Sequence, residues 1–295
     1  MTAGSGERLA LDLMVVGAAK SATTSVDALL HTAPGVAANP SAAEIGYFLH
    51  DAEFARGPRV ACAKYFATAA DSGDTRIGKS AGLMYSATAL HRLHRDSPGV
   101  RAVAVLRDPV ARAYSAHLWA VRAGAETDDL DTAVARELAG RDLDLPRPWL
   151  RRYVANGEYA RHLDAVRAVF GADALTVLTM DEFVADPNGT VNRLLEPFDL
   201  ALPPGEPLPT RENPAAGVRS ARLARIMRSP SLRAPLRAVL PLRAQVALNR
   251  RGLRLNRQAV AAPPMGDATR AALVAHFAPW NRCLEQQLGR ELGWG

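Results

Sequence analysis

The chain of 295 residues is poor in lysine and in cysteine. It carries 36 basic residues, yet lysine stands only at Lys20, Lys64 and Lys79. The rest are arginines, in an alanine-rich background that suggests a GC-rich bacterial source. Lysine is a compact point charge that the planar arginine fork does not always replace, so each retained lysine is a candidate for a specific task. The two cysteines, Cys62 and Cys283, are far apart. This excludes a disulfide framework and a four-cysteine zinc site, and it suits a reducing compartment. No run approaches the roughly 20 uninterrupted apolar residues of a membrane-spanning helix. Met1 to Arg8 lacks the basic start and apolar run of a secretory signal. These absences point to a cytoplasmic protein. With 48% hydrophobic and 22% charged residues, the composition excludes disordered and fibrous classes.

What is present reads as alternating strands and helices. Leu11 to Val16 is an apolar run suited to a buried first strand. Further strands are expected at Arg76–Gly78, Val100–Leu106 and Ala174–Met180. Helices are expected at Ser21–Leu30, Ala87–Arg95, Pro109–Arg122, Thr132–Ala139 and Glu158–Phe170. A closing helix at Ala271–Leu288 is expected to be interrupted at Pro279. Leu202 to Pro209 has the composition of a surface loop. The alternation predicts an α/β fold of three layers, with a mainly parallel central sheet covered by helices. A single domain over residues 1–295 is expected.

The segment Gly17-Ala-Ala-Lys20-Ser21-Ala22-Thr23-Thr24-Ser25 joins the first strand to the first helix. A helix start offers free N–H groups and partial positive charge, which suit an anion. Lys20 adds a full charge, and Ser21, Thr23, Thr24 and Ser25 add hydroxyl donors. The segment is not a Walker A loop, because the second glycine is missing and the loop is short. The competing reading is a helix capped by Ser or Thr, with a surface lysine.

A second candidate is Arg107-Asp108-Pro109, after the strand ending at Leu106. Pro109 suits the first turn of a helix, and Arg107 falls at the carboxyl end of a strand, where open parallel sheets bind ligands. Ser115 follows two helical turns later. An arginine fork with a hydroxyl is suited to phosphate. The competing reading is an Asp108 cap with a surface arginine.

These two segments together resemble the sulfotransferases that use 3′-phosphoadenosine 5′-phosphosulfate (PAPS). The likeness is greatest to the heparan-sulfate-type and related bacterial carbohydrate or small-molecule enzymes. It continues through Gly157-Glu-Tyr159, Leu175 to Phe183, Asp186-Pro187, Phe277 to Glu285 and Leu288 to Trp294. It therefore covers most of the chain. It implies a P-loop-like sulfotransferase fold, with PAPS as co-substrate and no metal. It implies that Lys20, Ser21, Ala22, Thr23, Thr24 and Ser25 hold the 5′-phosphosulfate. Arg107 and Ser115 would hold the 3′-phosphate.

The resemblance also implies a general base at Glu44, in Ala43-Glu44-Ile-Gly-Tyr47-Phe48. Ala43 departs from the family's lysine. A carboxylate within an apolar run is expected to be desolvated, which favours a base. His31 and His50 are rival bases by residue type. Lys79 matches a family lysine near the sulfuryl group, although Gly78 and Ala81 replace the pattern's Glu and Pro. Lys20 and Lys79 thus join Glu44 as catalytic candidates. Lys64 matches no charged family position and is expected at the surface.

From Asn213 to Gly266 there are 11 arginines and no Asp or Glu, which leaves −5 for the rest of a chain of net charge +6. Interspersed leucines predict basic amphipathic helices broken at prolines. Arg219 stands where bacterial relatives carry a cofactor-side arginine. Contact with an acidic acceptor or an anionic membrane surface, and a plain solvated face, remain open for the other arginines. No aromatic platform accompanies the charge, so no nucleic-acid partner is expected. The expected acceptor is a hydroxyl or amine of a carbohydrate, glycolipid or natural product. The rivals are a P-loop-like kinase or NTPase and a non-catalytic basic docking protein.

Overall fold

Alternation along the strands sorts the core into two layers. The computed structural model describes residues 8–37, 44–66, 73–141, 151–205, 217–218, 257–258 and 263–294. Four parallel strands run β1 (Leu13–Gly17), β2 (Ile77–Lys79), β3 (Arg101–Leu106) and β4 (Leu175–Thr179), in the spatial order β2-β1-β3-β4. Leu13, Val15, Val103 and Val105 face one side, where they pack with Val26, Leu29 and Leu30 of α1 (Thr23–Leu30). Met14, Val16, Ala102, Ala104 and Leu106 share the other cluster, with Leu90 and Leu93 of α2 (Ala87–Asp96) and Leu163 and Val166 of α3 (Tyr159–Phe170). Each fully buried Val, Leu or Met among them contributes about 1.5–3 kcal/mol. The expected strands and flanking helices are therefore present, and the fold class is the expected α/β sheet with helices on both faces.

The chain divides into two compact units. The first takes Met1–Asp108, Glu158–Glu212 and Trp280–Trp294, and it holds the sheet. The second takes Pro109–Gly157 and Asn213–Pro279. Its described part centres on α4 (Pro109–Arg122) and α5 (Leu130–Leu138), whose apolar residues pack with Tyr153, Leu273 and Phe277. Within it, Glu126 is buried and accepts backbone N–H bonds from Thr127 and Asp128 and a Tyr153 hydroxyl bond at 3.1 Å. Arg136 and Arg151 neutralise it, each at 3.3 Å. Buried charge survives there because every oxygen has partners.

Several elements differ from the expectations. The closing helix α6 runs Asp267–Leu288 without interruption, with Pro279 inside it. Pro279 removes one hydrogen bond, but buried Leu273 and Phe277 precede it and buried Leu284 follows it. Packing on both sides carries the helix through. Short helices at Pro58–Tyr65, Met180–Ala185 and Pro187–Leu195 lie outside the expected set. The last two start on a Thr179–Glu182 capping box and an Asp186 cap before Pro187. Most of the arginine-rich segment, Arg219 included, lies outside the described residues. Where it is described, Gly217–Val218 pairs antiparallel with Arg257–Gln258, so at these points it is strand rather than helix. Residues 206–209 of the expected surface loop also lie outside the described residues.

Two tests follow from packing and charge. A Cβ at Gly78 would stand 2.5 Å from Ile45 Cδ1 and 2.9 Å from Met14 Sδ. Gly78→Ala should lower stability by about 1–3 kcal/mol in chemical denaturation, through overpacking. The second test concerns Glu182, whose carboxyl Arg290 holds down to about 2 through a two-pronged hydrogen bond, with Thr179 assisting. A depressed carboxyl stabilises the fold above its ordinary value near 4.5, and that contribution is lost as the pH falls toward 2. Arg290→Gln should therefore cost about 1 kcal/mol at pH 7, after allowance for solvent screening, and almost nothing at pH 2.

Candidate functional site

The strand order marks a candidate place for a site. From β1 the chain goes to β2 on one side, then to β3 on the other and on to β4. The crevice at the carboxyl ends of β1 and β3 is therefore a topological switch point, where open parallel sheets bind ligands. The loop 18–22 leaves β1 there, and Arg107 follows β3 there. Backbone bonds tie these ends together: the Ala18 N–H donates to the Val105 carbonyl at 2.8 Å, and the Ser80 N–H donates to the Val15 carbonyl at 3.0 Å.

The loop after β1 opens α1 without a cap. Ala22 occupies the capping position with φ of 60° and makes no side-chain cap bond. The Ser/Thr-capped reading is thereby excluded. Lys20 also has a positive φ, 77°. Left-handed backbone at two residues with side chains is unfavourable locally, and such strain collects at functional sites. Here it turns the chain into α1, where the Ser25 and Val26 N–H groups donate to the Ala22 carbonyl at 2.9 and 3.1 Å. Ser21 is fully buried, and its hydroxyl has no hydrogen-bond partner among the described residues. The Ser80 hydroxyl, after β2, is in the same condition. Thr23 is buried, while Lys20, Ala22, Thr24 and Ser25 are half-buried.

Lys79 ends β2 and is buried to 4% exposure. Its ammonium donates to Thr24 Oγ1 at 3.3 Å and pairs with Asp27 Oδ2 at 3.6 Å. The structure therefore joins Lys79 to the helix start that the sequence singled out separately. Asp27 was missed by the sequence analysis. Its signal was a carboxylate three residues after Thr24, on the same face of the helix.

Glu44 precedes Ile45, whose N–H donates to the Lys79 carbonyl at 2.8 Å. Backbone pairing thus brings the Glu44 segment beside the end of β2. The expected desolvation of Glu44 is absent, because its side chain is exposed. The apolar neighbours that suggested burial, Ile45, Tyr47 and Phe48, are themselves buried and leave the carboxylate at the surface. His31 stands beside Asp27, at 3.6 Å from Nε2 to Oδ1, and His50 is exposed.

A second anchor holds the Glu44 segment. The Gly46 N–H donates to the Tyr65 hydroxyl at 3.0 Å, and that hydroxyl donates to Glu53 Oε1 at 2.5 Å. Lys64 donates to Glu53 at 2.6 Å and to the Tyr65 hydroxyl at 2.8 Å. Burial opposes charge on Glu53, but the bonds from Lys64 and Tyr65 outweigh it and hold its carboxyl below the usual range. Burial, with Glu53 assisting, pushes the Tyr65 phenol up, so it stays a neutral donor. Lys64 is half in solvent, as expected of a surface residue, but it completes this latch.

Arg107 is half-buried, and no side-chain partner for its guanidinium is present among the described residues. Its carbonyl accepts from the Tyr159 hydroxyl at 2.9 Å, which pins the strand end. Ser115 belongs to the second unit, half-buried on α4. Arg219 lies outside the described residues. Among the described residues, no cluster of three or more His, Cys, Asp or Glu side chains could hold a metal ion, and no helix is long and apolar enough to cross a membrane.

The latch makes a direct test. Tyr65→Phe leaves the Gly46 N–H without its acceptor and Glu53 without one donor. Thermal unfolding should show a loss of about 1–3 kcal/mol, with Lys64→Met costing less because its pair is half in solvent.

No protein-family model matches the chain, and no curated protein matches its sequence. A sulfotransferase domain from the curacin biosynthetic pathway aligns over 97% of this chain and 99% of its own length, with 11% identity and a TM-score of 0.42. A sulfotransferase from Alicyclobacillus acidocaldarius aligns over 96% of this chain and 97% of its own, with 21% identity and a TM-score of 0.65. The chain shares the fold of that sulfotransferase.

Proposed function

We propose that this chain is a PAPS-dependent sulfotransferase. The observation that carries the reading is the uncapped start of α1 at the switch point, with the Lys79 ammonium on Thr24 and the Ser21 hydroxyl buried beside it in sequence. An anionic phosphosulfate fits that chemistry: backbone N–H groups, hydroxyls and two lysines supply donors and positive charge. In this reading Lys20 and Ser21 to Ser25 hold the 5′-phosphosulfate. Arg107 binds the 3′-phosphate.

The acceptor is a hydroxyl or amine of a carbohydrate, glycolipid or natural product. Glu44 takes its proton as the acceptor atom attacks sulfur. The new bond to sulfur forms as the bond from sulfur to the 5′-phosphate oxygen breaks, and adenosine 3′,5′-bisphosphate leaves. Lys79 balances charge on the sulfuryl oxygens and on the 5′-phosphate that leaves. Positioning and electrostatics supply the rate, as in phosphoryl transfer. An exposed Glu44 has its geometry from the backbone anchors at Ile45 and Gly46. By their charge alone, the arginines of 213–266 suit an acidic acceptor or an anionic membrane surface.

Calorimetry checks the donor site. Adenosine 3′,5′-bisphosphate should bind in the presence of EDTA. Lys20→Ala and Arg107→Ala should each weaken it at least tenfold, as expected for the roughly 1.5–3 kcal/mol of a hydrogen bond to a charged group. Binding of Mg·ATP with no binding of the bisphosphate would overturn the reading in favour of a kinase-like protein.

A further inference from the structure

Asp27 is a buried carboxylate that none of the assigned roles uses. Its two oxygens face different partners. Oδ2 lies 3.6 Å from the Lys79 ammonium, and Oδ1 lies 3.6 Å from His31 Nε2. Thr24, Asp27 and His31 follow at i, i+3 and i+7, so they line one face of α1 and its end. Lys79 comes to this face from β2. An ammonium as buried as that of Lys79 is costly without a facing carboxylate, and so is the carboxylate of Asp27 without a cation. Each is therefore tied to the other. Of the three donors of the ammonium one is engaged by Thr24, and Asp27 faces the charge as an ion pair.

We propose that Asp27 is a positioning residue that holds the Lys79 ammonium against Thr24, with its remaining donors set for the anionic group bound at the start of α1. The proposal rests on reading that start as the 5′-phosphosulfate site. The pairing makes physical sense there. A lone lysine in a dry site would adopt whatever rotamer found a partner. The Asp27 carboxylate fixes it from within the same helix that supplies the N–H groups, so ammonium and helix start keep one geometry. The near neutrality of the pair also keeps the empty fold from carrying an unpaired buried charge.

The test is a double-mutant cycle of Asp27→Asn, Lys79→Met and both changes in the full chain. Each protein is titrated with adenosine 3′,5′-bisphosphate and with adenosine 3′-monophosphate, which lacks the 5′ group. Thermal unfolding runs in parallel. Asp27→Asn and Lys79→Met should each weaken the bisphosphate about tenfold, the scale of one charge-assisted contact. Both should leave the 3′-monophosphate within about twofold of the wild-type value, since the 3′ end is held elsewhere. The double variant should bind no more weakly than Lys79→Met alone, because Asp27 acts through Lys79. In the Lys79→Met background, Asp27→Asn should raise the thermal midpoint, since it removes a stranded charge.

Equal weakening of both nucleotides by Asp27→Asn, or additive losses in the double variant, would make Asp27 merely structural and overturn the proposal. Tighter bisphosphate binding by Asp27→Asn would also overturn it, because simple relief of repulsion would then be the whole effect. If the wild-type chain binds neither nucleotide, the sulfotransferase reading falls and the ligand role of Asp27 falls with it. If the wild type binds the bisphosphate but Asp27→Asn does not change it, only the positioning proposal falls.

Discussion

The parallel pairing of β1 with both β2 and β3 is the constraint on which the rest of the first unit depends. Leu13 aligns with Ile77 on one side and Arg101 on the other. That register sends alternate side chains to opposite faces, so one five-residue strand contributes to both hydrophobic layers. It also brings three carboxyl-terminal strand ends to one edge. The loop to α1, Ser80 and Arg107 meet there because the strands are parallel and staggered as they are. An antiparallel neighbour would have sent one of those ends to the opposite edge.

Charge at that edge is divided between two environments. Lys79 is buried and matched by Asp27 within the core of the unit. Glu44 is exposed, and its place is set by backbone bonds on Ile45 and Gly46 rather than by contacts of its own side chain. The two arrangements answer different demands. A buried ammonium keeps its direction but needs a counter-charge. An exposed carboxylate remains hydrated and needs none. The hydrogen bonds of Tyr65, Glu53 and Lys64 belong to the second arrangement, since they support the chain segment and not the carboxylate.

The uncapped helix start follows the same logic. Ser86, Asp129, Thr179 and Asp186 cap their helices with side-chain oxygens. At α1 the residues with such oxygens lie inside the turn or before it, and Ala22 takes the capping position. Positive φ at Lys20 and Ala22 is unfavourable on its own, and the hydrogen bonds from Ala18 to Val105 and from Ser80 to Val15 fix the strand ends around it. A rigid frame can hold a local conformation that the isolated segment would not adopt.

Much of this was legible from local pattern. Apolar runs marked three of the four parallel strands, and the spacing of apolar residues marked the helices between them, because burial on a sheet face or helix stripe imposes a period that sequence carries directly. The lysine at the helix start and the Arg107 strand end were visible as residue type at a chain turn. Continuity of α6 through Pro279 was not, since it rests on packing by residues on both sides of the proline. The exposure of Glu44 was also hidden: its neighbours were apolar, but which side chain of a short segment turns inward depends on the strand it pairs with. The Lys79–Asp27 pair joins residues 52 positions apart. The sequence by itself determined the elements and the chemical groups. Only the tertiary structure decided which groups meet, because their encounter depends on strand order and register, which no local pattern encodes.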